Sequence, residues 1–243
     1  MTHPAACYDG DTRLAVALGD DGHEGPKLSI KVVILAGLIL ILFSLWLYGL
    51  LPASESQRGG DLVYLIATIA FCLVLQHEYQ PRLWQFGLSR EVLRSRRTLA
   101  WIGLGIALAG ANFGFIYGVV SLGSVMGPPH HVPTLGLLPT GRILGQPFDL
   151  LVDSLIGPFL EELLFRGYLY LVFRQNWGQR WAALISSAVF AACHLWSVLF
   201  AVEVFLGSLV DIYLDNKARS LAPSIAGHAL YNLVLRVIRF SHA

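Results

Sequence analysis

The chain has 243 residues, of which 55% are hydrophobic and only 14% charged, with a formal net charge of +1 and a mean hydropathy of +0.61. Soluble domains run nearer 45–50% apolar and about 25% charged, so this composition excludes an ordinary soluble domain. The near-zero charge offers no footprint for nucleic acid, and three cysteines (Cys7, Cys72, Cys193) build no disulfide framework.

Residues 1–27 are polar and acidic, with Asp9, Asp11, Asp20, Asp21 and Glu24 ahead of Lys27 and Lys31. The pattern lacks the basic start and small-residue cleavage site of a secretory signal, so it reads as a tail before a retained first span. Apolar runs then predict helices over Val32–Leu51, Leu62–Leu75, Leu99–Leu122, Phe148–Phe173, Trp181–Trp196, Val198–Leu214 and Leu221–Ile238. Several approach the roughly 20 residues needed to cross a bilayer. The expected fold is all-α, a polytopic transmembrane helical bundle of about seven spans, with six to eight compatible with the runs. The second run is short and the fifth and sixth nearly touch, so one of these is expected to be tilted or broken within the protein. The chain divides into a polar N-terminal tail (1–31), N-terminal transmembrane helices and loops (32–146), and a helical core (147–243).

Basic residues orient the bundle. Loop 76–98 carries Arg82, Arg90, Arg94, Arg96 and Arg97; later connectors carry Arg174 and Arg180, then Lys217 and Arg219. The Gly- and Pro-rich stretch 123–146 has only Arg142. The basic connectors, with the N-terminus, therefore predict the cytoplasmic side, although Arg236 and Arg239 then fall on the other. Gly110, Gly114 and Gly118 give a small-xxx-small spacing that suits close helix packing. His130 and His131 read as solvated loop residues, and Cys72 and Cys193 as small buried hydrophobes.

Three of the later spans carry polar groups that lipid anchoring does not need. The fourth has Glu161, Glu162 and Arg166; the fifth has Phe190 and His194; the last has His228 and Asn232. Charges at membrane depth cost on the order of 3 kcal/mol each even on the mild insertion scale, and they usually face protein with partners. Residues four apart share a helix face, which pairs Glu162 with Arg166 and aligns His228 with Asn232. Adjacent residues sit about 100° apart, so Glu161 and Glu162 are expected to look in different directions, leaving Glu161 to face a cavity. Counted from Arg174 and Arg180, Glu161 and His194 both lie roughly 20 Å deep, with His228 somewhat shallower at roughly 14 Å from Arg219. The three sets can converge. Singly, each polar group could be an interhelical hydrogen bond or a neutralised structural pair. Asp149, Asp153, Glu203 and Asp211 could line a wet cavity or cap helix ends, and Ser186 and Ser187 read as packing.

The motifs Glu-Glu-x-x-x-Arg (161–166), Phe-x-x-x-His (190–194) and His-x-x-x-Asn (228–232), in this order on separate apolar helices, resemble the CAAX prenyl protease and bacteriocin-processing family, also called CPBP or Abi. The resemblance covers roughly residues 148–236 and makes 147–243 the catalytic core. It implies an intramembrane glutamate-type endopeptidase. Glu161 matches the base that activates a water together with His194. His228 and Asn232 match the oxyanion-stabilising groups, and Glu162, Arg166 and Phe190 match supporting positions. Eukaryotic members cut the C-terminal tripeptide from prenylated proteins; bacterial ones are linked to peptide export, immunity or processing of membrane-anchored signals.

The implied partners are a hydrophobic or lipidated peptide or protein substrate and membrane lipids, with no nucleic acid; the oligomeric state stays open. No cofactor is expected. Glu161, His194 and His228 do form a His2Glu set, the ligand count of some catalytic zinc sites, but no helix carries His-Glu-x-x-His. The chain reads as a multi-pass protein of a bacterial inner membrane with a cytoplasmic N-terminus. Two other functions stay in play: a proton- or ion-coupled transporter, given the extra acids, and a catalytically silent peptide-binding immunity protein.

Overall fold

The structure, a computed structural model, describes residues 68–70, 72–73, 86–126, 150–194 and 198–241. The tail 1–31, the expected span Val32–Leu51, most of Leu62–Leu75, and Cys7, Arg82, His130, His131, Arg142 and Asp149 lie outside these residues. Among the described residues every regular element is helical. A single turn, α1 (Arg90–Leu93), is capped by Ser89, whose hydroxyl accepts from the Val92 amide. It leads into α2 (Arg96–Met126), whose start is held by the Ser95 hydroxyl accepting from the Thr98 amide at 3.1 Å.

The run expected as one helix over 148–173 is built differently. A π-helical turn at Val152–Ile156 precedes α3 (Gly157–Glu162), and a second π-helical stretch, Leu163–Leu169, follows it. The chain continues into α4 (Tyr170–Ala192), which doubles back at Gly178, where φ is 78°. That angle lies in the left-handed region open to glycine, and it falls in the connector between the expected fourth and fifth spans. The fifth expected helix ends early, at Ala192 rather than Trp196. The Cys193 amide bonds to the Val189 and Phe190 carbonyls, and the His194 amide reaches only Ala191. The last turn tightens and stops the helix there, so His194 sits just beyond α4. Helices α5 (Val198–Ala218) and α6 (Ala222–Ser241) complete the described chain. The tight turn between them places Arg219 at φ 57°, and Asp215 caps α6 by accepting from the Ser224 amide at 3.1 Å.

The outer faces of two helices depart from the pattern of a soluble protein. On α5, Val198, Val202, Leu206, Val210 and Tyr213 form an exposed apolar stripe, while Ser208 and Asp215 are buried on the inner side. Exposed large apolar side chains also line α2 (Leu99, Leu104, Ile106, Leu108, Phe115). Continuous apolar surface of this kind needs an apolar solvent. By length and composition, Arg96–Phe115 is the one stretch among the described residues able to cross a membrane. The ionisable groups on the inner faces of α5 and α6 lower their mean hydropathy.

Helix α6 packs against α2, α5, α3 and the 152–156 turn, which makes it the hub of the core. The closest approach of α2 and α6 is at Gly105 and Gly227. A Cβ on Gly105 would lie 2.8 Å from the Pro223 carbonyl oxygen, and one on Gly227 would lie 3.2 Å from that of Gly105. A Cβ at Gly110, Gly114 or Gly118 meets nothing within 4 Å among the described residues, and the helices expected over 32–75 lie largely outside them.

Candidate active site

The site forms where α3, its following π-helical stretch, the end of α4 and the middle of α6 meet. Glu162 is fully buried and Arg166 is 3% exposed. The guanidinium Nη1 lies 3.0 Å from Glu162 Oε1, an ion pair made within one helical stretch. Oε1 also faces His228 across the bundle, accepting from Nδ1 at 2.8 Å. The second nitrogen of His228, Nε2, lies 3.6 Å from Oε2 of Glu161. One imidazole therefore stands between two carboxylates.

This corrects the expectation that adjacent glutamates face apart. A 100° offset separates their Cβ directions, but the two side chains are long and an imidazole offers nitrogens on two edges. Glu161 and Glu162 thus approach the same ring from different sides. They remain unequal: the Glu161 side chain keeps 15% exposure and that of Glu162 none.

Phe190 organises the middle of the site. Its ring packs edge-on against His194 at 4.7 Å and against His228 at 6.1 Å between centroids. The Arg166 guanidinium carbon sits 4.1 Å from the same ring's centroid, in cation–π range. Phe165 closes the other side at 4.8 Å. A phenyl ring here sets the separation of two imidazoles and a guanidinium while adding no charge of its own.

The Nδ1 of His194 lies 2.9 Å from the Phe190 carbonyl oxygen. A carbonyl can only accept, so Nδ1 carries the hydrogen and a neutral His194 keeps its lone pair on Nε2. His228 is bonded differently. Its Nδ1 donates to a carboxylate and its Nε2 faces another, a setting that suits the doubly protonated imidazolium. The two histidines are thus poised for opposite tasks, one to accept a proton and one to donate.

Asn232, one turn beyond His228, donates from Nδ2 to the Asp153 carbonyl in the first π-helical turn at 3.0 Å. Asp153 is also the ion-pair partner of Arg236. Sequence reading gave neither contact, because both join α6 to a turn whose irregularity it did not anticipate. It also gave no partner for Asp211, whose Oδ2 lies 3.3 Å from Arg166 Nη2. Glu203, set on the same side of α5, instead accepts from Asn112 at 2.6 Å, tying α5 to α2. Ser187 accepts from Ser208 at 2.8 Å between α4 and α5, and both cysteines among the described residues are free and buried.

A helical core with carboxylates and imidazoles gathered at its centre defines a class: integral membrane proteins with an internal acid–imidazole centre. Residues 143–234 match the family model described as Type II CAAX prenyl endopeptidase Rce1-like. That match, over residues 143–234, supports the CPBP/CAAX protease family, a family of integral membrane proteases. No curated protein and no solved structure matches the chain.

Proposed function

We propose that the protein is an intramembrane endopeptidase that hydrolyses a peptide bond in a hydrophobic, lipidated or membrane-tethered peptide. Glu161 is the general base. It is the partly exposed carboxylate of the pair, and its position on the His228 edge puts it beside the imidazolium that would receive the oxyanion. His194, with its Nε2 lone pair, shares the proton of the attacking water and then returns it to the leaving amine. His228 Nε2–H and the Asn232 amide, whose second N–H is not the one given to Asp153, bind the oxyanion. Glu162 and Arg166 hold His228, and Phe190 spaces the two rings.

The observation that carries this reading is the Glu162–His228–Glu161 arrangement, because it holds one imidazole through Nδ1 on a sealed carboxylate and turns its Nε2 toward a partly exposed one. General base catalysis contributes about 10²–10⁴-fold, and an oxyanion donor about 10²–10³-fold. The membrane placement we propose is that of the expected seven-span bundle in a bacterial inner membrane with a cytoplasmic N-terminus. We propose that no metal takes part: no helix carries the His-Glu-x-x-His spacing, and Asn232 beside His228 suits an oxyanion donor better than a metal ligand.

The test uses the purified full chain in lipid nanodiscs with an internally quenched peptide ending in a farnesylated CAAX sequence. The parent protein cleaves it, and Glu161→Gln lowers kcat by two to four orders of magnitude. Cleavage persists after dialysis against 1,10-phenanthroline; loss on chelation with recovery on added zinc would replace this mechanism with a zinc one. A parent protein that binds the peptide without cutting it, or one that carries ions across vesicles, would favour the immunity or transport reading instead.

A further inference from the structure

The proposed chemistry leaves Asp211 without a task, although its carboxylate ends the polar chain that runs into the site. Asp211 Oδ2 lies 3.3 Å from Arg166 Nη2, and Arg166 Nη1 lies 3.0 Å from Glu162 Oε1. The same Oε1 lies 2.8 Å from His228 Nδ1. Asp211 is on α5, so it holds the guanidinium from a different helix than Glu162 does. Its side chain is 26% exposed, against 2% for that of Arg166, which makes it the outer end of the chain.

Two physical consequences follow. The guanidinium is a planar fork, so pinning Nη2 on α5 fixes the direction in which Nη1 points. Arg166 also sits within the Leu163–Leu169 π-helical stretch, and its long side chain carries rotamer freedom that a second anchor restrains. Second, one positive charge is divided between two carboxylates. Glu162 therefore keeps negative charge that is not cancelled by Arg166 and can be directed at His228.

We infer that Asp211 is a positioning residue for the reaction, orienting Arg166 so that Glu162 holds the His228 imidazole through Nδ1 with its Nε2 turned to the reacting side. This rests on the reading of His228 as an oxyanion donor, and Asp211 itself touches neither substrate nor the reacting atoms. Its effect belongs to the chemical step rather than to binding.

The farnesylated quenched peptide in nanodiscs tests it. Asp211→Asn is expected to lower kcat at least tenfold with KM within twofold, and Asp211→Glu to retain at least a third of the parent kcat. In an Arg166→Lys background, which lacks the fork, Asp211→Asn is expected to cost less than threefold more. A kcat for Asp211→Asn within twofold of the parent overturns the inference. So does a loss carried by KM, or an undiminished loss in the Arg166→Lys background. If Asp211→Asn does not fold, Asp211→Ser takes its place, because it removes the carboxylate while leaving Arg166 and its pair with Glu162 intact. A tenfold kcat loss there supports the inference, and a parent-like kcat overturns it. Glu161→Gln run alongside separates the two levels. Parent-like cleavage by that variant removes the underlying reading, whereas its inactivity beside a parent-like Asp211→Asn removes only the role of Asp211.

Discussion

At the scale of single residues, the centre is defined by an inequality between two neighbouring carboxylates. Glu162 is sealed, and it holds a guanidinium and an imidazole at 3.0 and 2.8 Å; Glu161 is partly open, with its imidazole contact at 3.6 Å. Removing one partner of a buried pair typically costs about 3–5 kcal/mol, because it strands the opposite charge. Glu162→Gln is therefore expected to destabilise the folded protein by about that amount, read by thermal denaturation in detergent. Glu161→Gln is expected to change stability by no more than about 1 kcal/mol, as for partly exposed pairs, while abolishing turnover. Equal destabilisation by the two would remove the distinction between supporting and reacting carboxylate.

What could be read at this scale depended on how far apart the partners lie in sequence. The Glu162–Arg166 pair is visible as a spacing of one helical turn, and the alignment of His228 with Asn232 likewise. The Arg166–Asp211 and Asn232–Asp153 contacts join separate elements, and no periodicity carries that information. The adjacency rule for Glu161 and Glu162 failed for another reason: it describes where side chains leave the helix, not where four-bond-long side chains end.

At the scale of elements, the apolar runs placed the helices of the described core to within a few residues, and Gly178 turned the chain inside the expected connector. The π-helical stretches on both sides of α3 were not legible, since one extra residue per turn leaves no trace in a hydropathy pattern. They matter for the site. Irregular turns of this kind often accompany functional positions, and here they carry Asp153 and Arg166 and bracket both glutamates. Gly105→Val is expected to force α2 and α6 apart, since its Cβ alone would sit 2.8 Å from the Pro223 carbonyl oxygen. A loss of at least about 1–3 kcal/mol, as for overpacked cores, should appear as a lowered melting temperature, with Gly110→Ala near neutral. The reverse order would place the helix contact elsewhere.

At the scale of the whole molecule, the described residues carry large apolar side chains on their outer faces as well as in the core, and the ionisable groups of the site are enclosed within that core. Lipid-facing stripes need no charge, in keeping with a chain in which only 14% of residues are charged. Inside, Glu161, Glu162 and Arg166 each have a partner from a second element, and α6 supplies the imidazole that faces both glutamates. A transporter would also gather intramembrane acids, but it has no need to set one imidazole as acceptor and another as donor around a shared phenyl ring.

The central claim is that Glu161 and His194 act on one water. The measurement that tests it most directly is a kinetic cycle: kcat for the farnesylated probe with the parent, Glu161→Gln, His194→Asn and the double variant. Groups that serve one step are non-additive, so the double variant is expected to be no slower than the worse single one. Losses that multiply, or a parent protein that leaves the probe intact, would contradict it.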